Sequence, residues 1–542
     1  MCNESPLGIF FGCVANTFSF MQVTKVIDGH MCSSSSRIKS SMASRSWVAD
    51  KAITILKNTP NVGAKQLQKQ LQDDYKVTIG YDTVWQGREI AVNNLYGNWE
   101  ESFQRLYNFK AEVELRSPGS IVEIDTINVR GNVHFNRFFC AFRPCIEGFV
   151  VGCRPYISID STALNGKWNG QLCAVTALDG HNWMYPVAFG FIQVENTENW
   201  TWFMLQLKKA IGNIPILAVC SDACKGLENA VVEVFPQAEQ RECFRHLMQN
   251  FMKKFHGEAC EHMWPAARAY KYDIFYHHFQ KVISASPQVH GYLTKYHSLL
   301  WMRYKFNPAI KCDYINNNLA ESFNSWIKDI KDLPVDELAD KLRVMIMELF
   351  DKRRKIGDRL QGTILPAVIH QLNGNTRGLG HLKVRVSNTF NAEVTDSRSE
   401  QDRHVVKTHI HECTCLEWQH TGKPCPHALA FLTTQQNINM EDYVHEYYSL
   451  QKFRAAYEGA IEPMTGKAQW PRVELGFTVL PPIAKRSAGR RRKQRIKNCF
   501  EKGVKVTRIQ NKNKCKRCGE LGHRQAGCPL NGTKKRLIQT NL

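Results

Sequence analysis

Tyr156-Ile-Ser-Ile-Asp160 and Ile214-Pro-Ile-Leu-Ala-Val-Cys-Ser-Asp222 are the two stretches that decide the fold. Each is a short apolar run that ends in a carboxylate. β-Branched residues favour extended backbone, and a short continuous apolar run is consistent with a buried strand. A buried sheet presents charge at the ends of its strands, so two such runs side by side put two acids on one rim. Paired carboxylates can share a hard divalent cation, an arrangement suited to phosphoryl transfer on nucleic acid. Aspartate also ends strands for turn chemistry, so the neighbouring sequence has to carry the rest.

Working outward, strands are expected near 156–160, 171–178, 185–193, 215–221 and 238–243, and helices over 199–211 and 226–235. Leu178-Asp-Gly-His181 reads as a hairpin turn. Three antiparallel strands followed by strands alternating with helices predict an α/β, ribonuclease H-like domain over 111–335 with a five-stranded sheet. Residues 247–312 lack any strand pattern and read as a helical insertion. Beyond it, Glu321 lies on a predicted helix whose Leu319, Phe323, Trp326, Ile327 and Ile330 face inward. Taken singly, each of the three acids is as readily a surface or capping carboxylate.

Several blocks stand in a fixed order around these acids: Cys153 to Leu172, Tyr185-Pro-Val-Ala-Phe-Gly190, Glu195-Asn-Thr-Glu-Asn-Trp-Thr-Trp-Phe203, Ser221-Asp222 with Lys225-Gly226-Leu227, Arg241-Glu-Cys-Phe-Arg-His246 and Asn316-Asn-Asn-Leu-Ala-Glu-Ser-Phe-Asn324. Together they resemble the plant Mutator-like element transposases over about residues 47–427. The resemblance implies a catalytic trio of Asp160, Asp222 and Glu321 that holds Mg²⁺ or Mn²⁺, with DNA, and terminal inverted repeats in particular, as the partner. It also implies a homo-oligomer if the chain is active. One departure is Ser161-Thr-Ala163, where the family has Gly and then Thr-Phe after the first Asp. The Cys243 and His246 pair is expected to order the edge of the site. Far-red-response transcription factors of plants, similar in core and finger, make a non-catalytic DNA-binding regulator the rival reading.

Two cysteine motifs have metal spacing. Cys413-x-Cys415, nine residues, then Cys425-x-His427 resembles the SWIM zinc finger. Three thiolates and one imidazole close a tetrahedral zinc shell and leave no open position for catalysis, so the site reads as structural. His409, His411 and His420 read as bystanders. Cys515, Cys518, His523 and Cys528 have zinc-knuckle spacing, with Gly519 and Gly522 at the tight turns. Knuckles of this kind hold single-stranded nucleic acid, which keeps an RNA-binding zinc protein as a third reading. Six of the 19 cysteines fall in these spacings, which favours zinc in a reducing compartment over disulfides.

The net charge of +21 points to a polyanionic partner. Residues 485–542 hold 19 Lys and Arg against two Glu, so the tail supplies +17 and residues 1–484 only +4. Lys485-Arg486 and Arg490-Arg-Arg-Lys-Gln-Arg495 fit a bipartite nuclear signal. No apolar run approaches the roughly 20 residues of a membrane helix. Residues 1–46 read as a disordered or non-native start, despite hints of a signal peptide at 6–23 and a transit peptide at 33–46. Residues 47–110 read as a helical module of helix-turn-helix type or an ordinary bundle. Asp82 is its expected cap, and Gln86, Arg88 and Lys76 are the side chains assigned to DNA. The remaining boundaries are a helical and linker region at 336–400, the finger at 401–435, a basic linker at 463–512, the knuckle at 513–530 and a basic end at 531–542.

Overall fold

The Ser44 hydroxyl accepts the Trp47 N–H and starts the first helix, α1 (Arg45–Asn58). The computed structural model describes residues 43–222, 224–398 and 402–483, and ahead of them only the backbone of β1 (Ile9–Gly12), β2 (Gln22–Val26) and β3 (Ile38–Lys39). The expected knuckle, nuclear signal and basic tail lie outside the described residues.

After α1 come α2 (Ala64–Tyr75), β4 (Val77–Thr78) and α3 (Tyr81–Tyr96). Val48, Ala52, Leu56, Leu67, Leu71, Val84 and Ala91 close a small core between the three helices. Gly87 lets α3 approach α1, since a Cβ there would come within 2.5 Å of Val48. The cap position of α3 is Gly80, not Asp82. Asp82 instead lies in the first helical turn, where its charge complements the helix dipole.

The central sheet follows. After α4 (Ser102–Arg116), its elements are β5 (Ile121–Val129), β6 (Asn132–Ala141), α5 (Arg143–Gly152), β7 (Tyr156–Ala163), β8 (Gln171–Leu178), β9 (Met184–Ile192), α6 (Thr197–Ile211), β10 (Ala218–Ser221), α7 (Lys225–Val234) and β11 (Glu239–Glu242). The strand order is β11-β10-β7-β8-β9-β6, with β5 paired to β6. β7, β8 and β9 are antiparallel, whereas β10 runs parallel to both β7 and β11. The five expected strands are present, but among the described residues the sheet has eight. The β5–β6 hairpin and a short strand near residue 479 extend the edge.

Helices cover both faces. A Cβ on Gly190 of β9 would meet Phe203 of α6. Tyr185, at the other end of the same strand, sets its hydroxyl 3.1–3.3 Å from the carbonyls of Pro144 and Cys145 in α5 and of Ala456.

The insertion holds α8 (Phe244–Phe251), α9 (Glu258–Arg268), α10 (Tyr272–Ala285) and α11 (Gln288–Tyr296). It has its own core of Phe244, Phe251, Met263, Phe275, Val282 and Trp301. The chain then returns through α12 (Asn318–Trp326), which packs over β7, β8 and β9, and through α13 (Val335–Arg359) and α14 (Pro366–Asn375). A four-stranded antiparallel sheet follows, of β12 (Leu382–Val386), β13 (Asn391–Asp396), β14 (Arg403–Lys407) and β15 (Glu412–Cys413). It is capped by α15 (Glu417–Thr421) and α16 (Pro426–Leu432). After α17 (Leu450–Ala456), β16 (Val479–Leu480) pairs with β6. The expectation of a linker from residue 463 is corrected for its described part: Trp470 and Val479 are buried in the main core. No helix among the described residues is long and apolar enough to cross a membrane.

Gly148 and Gly152 lie on one face of α5 against α17. A Cβ at Gly148 would sit 2.1 Å from the Ala456 carbonyl oxygen and 2.3 Å from the Tyr185 hydroxyl. Both neighbours are held in place, so Gly148→Ala is expected to destabilise the sheet domain by about 3 kcal/mol or more. Chemical denaturation of wild type and variant checks it.

Candidate functional site

Strand register sets the first two acids side by side. β7 and β10 pair in parallel with Cys220 opposite Ser158, and two residues further along each chain lie Asp222 and Asp160. Neighbouring strands are about 4.8 Å apart. One Asp160 oxygen accepts the Ser161 N–H at 2.8 Å and the other accepts Asn324 Nδ2 at 3.0 Å. Burial, then the Asp222 charge, pushes the Asp160 carboxyl up to about 7. Asp222 is raised by burial and then by Glu228.

The third acid comes from α12. Asn317, at its start, donates its backbone N–H to Cys243 Sγ at 3.1 Å and its side-chain amide to the Ile159 carbonyl at 3.2 Å. The buried Cys243 thereby pins the helix to the ends of β11 and β7. Glu321 stands three residues before Asn324, the partner of Asp160. Its Oε2 accepts Arg245 Nη1 at 2.5 Å, while its Oε1 is buried with no hydrogen-bond partner among the described residues. Asp160 and Asp222 are thus adjacent, while Glu321, on the same covering helix as Asn324, faces Arg245 and the Cys243 corner. The three do not make a tight cluster, because their oxygens are not all within 4.8 Å of one another.

Glu195 is a fourth carboxylate at this rim. It hydrogen-bonds with Ser161, and burial, then the Asp222 charge, raises its pKa. Its loop is seated by close packing, since a Cβ on Gly226 would come within 2.8 Å of Asn196. Glu195 stands in one of the family-like blocks, and the sequence alone assigns it no role. Ser161, where the chain departs from the family, is the residue that meets it.

Cys413, Cys415, Cys425 and His427 place four ligand atoms within 4.8 Å of one another, the one such cluster among the described residues. His427 Nδ1 lies 3.8 Å from Cys413 Sγ and 3.9 Å from Cys425 Sγ. Zinc bonded at about 2.3 Å to sulfur and about 2.0 Å to nitrogen needs edges of roughly that length. Cys425 caps α16, and its sulfur accepts the Ala428 N–H at 3.4 Å. The donor set and geometry fit a closed zinc site. His409 packs on Phe390, His411 on Trp418 and His420 on Tyr270. His404, which no sequence motif marks, packs on His427 with ring centres 4.1 Å apart and planes tilted by 37°.

Residues 156–250 match the MULE transposase domain family, and residues 407–435 match the SWIM zinc finger. The chain carries a MULE transposase domain and a SWIM finger. The MULE match includes Asp160 and Asp222 and ends before Glu321. Protein FAR1-RELATED SEQUENCE 6 of Arabidopsis thaliana is 26% identical over 155 residues, 28% of this chain and 21% of that protein. The transposase for insertion sequence element IS1201 of Lactobacillus helveticus is 28% identical over 142 residues, 25% of this chain and 38% of that protein. The PKS-NRPS hybrid synthetase cheA of Chaetomium globosum is 28% identical over 171 residues, which is 30% of this chain but 4% of that protein. The matches span well under half the length of each relative.

Ahead of the MULE domain, one residue assigned to DNA contact is otherwise engaged. Arg88 donates to the Val62 carbonyl at 2.7 Å and to the Pro60 carbonyl, and pairs with Glu89 at 3.6 Å. It ties α3 to the α1–α2 loop. Lys76 is exposed and Gln86 half-buried. Glu89 of α3 also pairs with Lys167 in the loop between β7 and β8, at 2.9 Å.

Proposed function

We propose that the MULE domain cleaves and transfers DNA strands, with Asp160, Asp222 and Glu321 as ligands for Mg²⁺ or Mn²⁺. The observation that carries this reading is the register that sets Asp160 beside Asp222 beneath the helix of Glu321. Strand order β11-β10-β7-β8-β9, antiparallel then parallel, supports a ribonuclease H-like sheet. The donor set fits a hard cation: Asp160 is buried beside a like charge, and one oxygen of Glu321 lacks a donor. When bound, such ions supply charge neutralisation at the attacking and leaving oxygens of a displacement. The chain's own part is positional. Asn324 orients Asp160, and Arg245 holds Glu321 at the rim until a cation competes for it. Nicking of supercoiled DNA that carries candidate terminal repeats, with added Mg²⁺ or Mn²⁺, tests the reading.

The raised Asp160 gives a second handle. Its carboxyl moves from about 4 in the unfolded chain to about 7 in the folded one. The native state therefore holds the extra proton between these values. This contribution is fully present below the unfolded pKa and is lost as pH rises through the folded pKa. A divalent cation binds the ionised form and offsets that loss. The rise in Tm caused by Mg²⁺ is expected to be larger at pH 8 than at pH 6, by thermal melts of the zinc-loaded protein. Equal rises at both pH values count against a cation at Asp160.

A non-catalytic DNA-binding regulator is the second reading, favoured by the ion pair that occupies Glu321. On either reading the transposase relatives suggest DNA binding. Nuclear localisation, self-association at element ends, single-strand contact and zinc at Cys515, Cys518, His523 and Cys528 belong to the same proposal.

A further inference from the structure

The helical insertion presents a cationic aromatic face that the acid site does not use. Residues 247–312 hold nine Lys and Arg against three acids. Residues 1–484 sum to only +4, so the rest of the body is net negative. Lys254, just beyond α8, sets its ammonium 4.6 Å from the Tyr292 ring centre and 5.1 Å from that of Tyr296. Lys295 Nζ lies 5.2 Å from the Tyr296 ring, and the two rings are 5.3 Å apart. Lys253, Lys254, Lys295 and Tyr296 are exposed. None of these lysines meets a carboxylate among the described residues; Lys253 donates to Asn250 instead.

This face is tied to the acid rim. The Tyr292 hydroxyl lies 3.2 Å from His297 Nε2, and His297 Nδ1 lies 2.6 Å from Glu242 Oε1 at the end of β11. Glu242 pairs in register with Ser221, the neighbour of Asp222. The buried Glu242–His297 contact thus ties Tyr292 to the end of β11, the strand beside that of Asp222.

We propose that this face binds a single-stranded segment of DNA, with an unpaired base stacked on Tyr296 and backbone phosphates on Lys253, Lys254 and Lys295. Charge complementarity selects a polyanion. An exposed ring selects an unpaired base, since a base inside a duplex has no free face to stack. The role as a clamp on the displaced strand rests on the proposed cleavage activity, but the binding itself does not.

Fluorescence-anisotropy titrations of zinc-loaded full-length protein test it, with a labelled 20-nucleotide oligothymidylate and a duplex of equal length at several salt concentrations. Tyr296→Ala is expected to weaken single-strand binding about ten-fold and duplex binding by less than about two-fold. Tyr296→Phe should bind as wild type. Lys254→Ala with Lys295→Ala should flatten the salt slope on the single strand by about 1.4. Unchanged single-strand affinity in Tyr296→Ala, or an equal loss on both substrates, overturns the proposal. Wild type that shows Tyr296-dependent binding but never nicks DNA defeats the cleavage reading alone.

Discussion

Chelation of the finger zinc is expected to unfold residues 403–432 and leave β7–β11 folded. The finger's own core is small, built on Val394, Val406, Trp418, Ala428 and Phe431 around Cys413 and Cys425. Burying each large apolar side chain contributes about 1.5–3 kcal/mol, most of it offset by the entropy of ordering the chain. Zinc ligation in finger peptides supplies roughly 10–16 kcal/mol, so the fold of this segment follows the metal. The loss should spread along the contacts that dock it. Leu429 belongs to the main core, Lys311 Nζ donates to the Gln419 carbonyl at 2.8 Å and the Tyr448 hydroxyl donates to the Thr421 carbonyl at 2.8 Å. Hydrogen exchange read by mass spectrometry should show protection lost over 403–432 and weakened near 443–448. Cys425→Ser should reproduce the pattern and lower the metal content by one zinc ion per chain. Full protection after chelation would contradict it.

On the proposed cleavage activity, Asp160→Ala is expected to abolish metal-dependent nicking, by on the order of 1,000-fold or more. The same substitution should not unfold the sheet, because burying the charge of Asp160 beside Asp222 opposes folding. Asp160→Asn removes the charge and keeps one acceptor for the Ser161 N–H, and Asn324 can turn its amide oxygen to the new NH2; the variant should raise Tm at pH 8 while nicking is still lost. A variant that is more stable yet inactive separates a ligand from a structural residue. Glu321→Gln should lose nicking as well and free Arg245 from its ion pair. Residual nicking within about two-fold of wild type in any of these variants would remove that acid from the site.

How legible each element was depended on where its partners lie in the chain. β7, β8, β9 and β10 could be read because their apolar runs are buried whatever packs on them. The β5–β6 hairpin was missed because β5 carries Glu123 and Asp125. Their partners are Lys110, Lys209 and Arg137, on α4, α6 and β6, and no local pattern announces them. Residues 463–482, rich in proline, looked like a linker because Trp470 and Val479 bury themselves only against distant elements.

The site divides in the same way. Asp222 could be read from its strand end, whereas Asp160 lies inside β7, which runs on to Ala163; the Cys and His spacing of the finger is local. Glu195 could not be read as a site residue, since its approach depends on the Asn196 backbone seating against Gly226. Arg88 was misread for the converse reason: a basic side chain at a plausible contact position can already be occupied by carbonyls of another loop.

Calorimetric titration of Mn²⁺ into zinc-loaded wild type, Asp160→Asn, Asp222→Asn and Glu321→Gln measures the carboxylate site most directly. Saturable binding in wild type, weakened at least about ten-fold in each variant, is the predicted result. Wild-type affinity retained in Asp160→Asn and Asp222→Asn, or no Mn²⁺ binding to the wild type, would contradict a divalent-metal site at this rim.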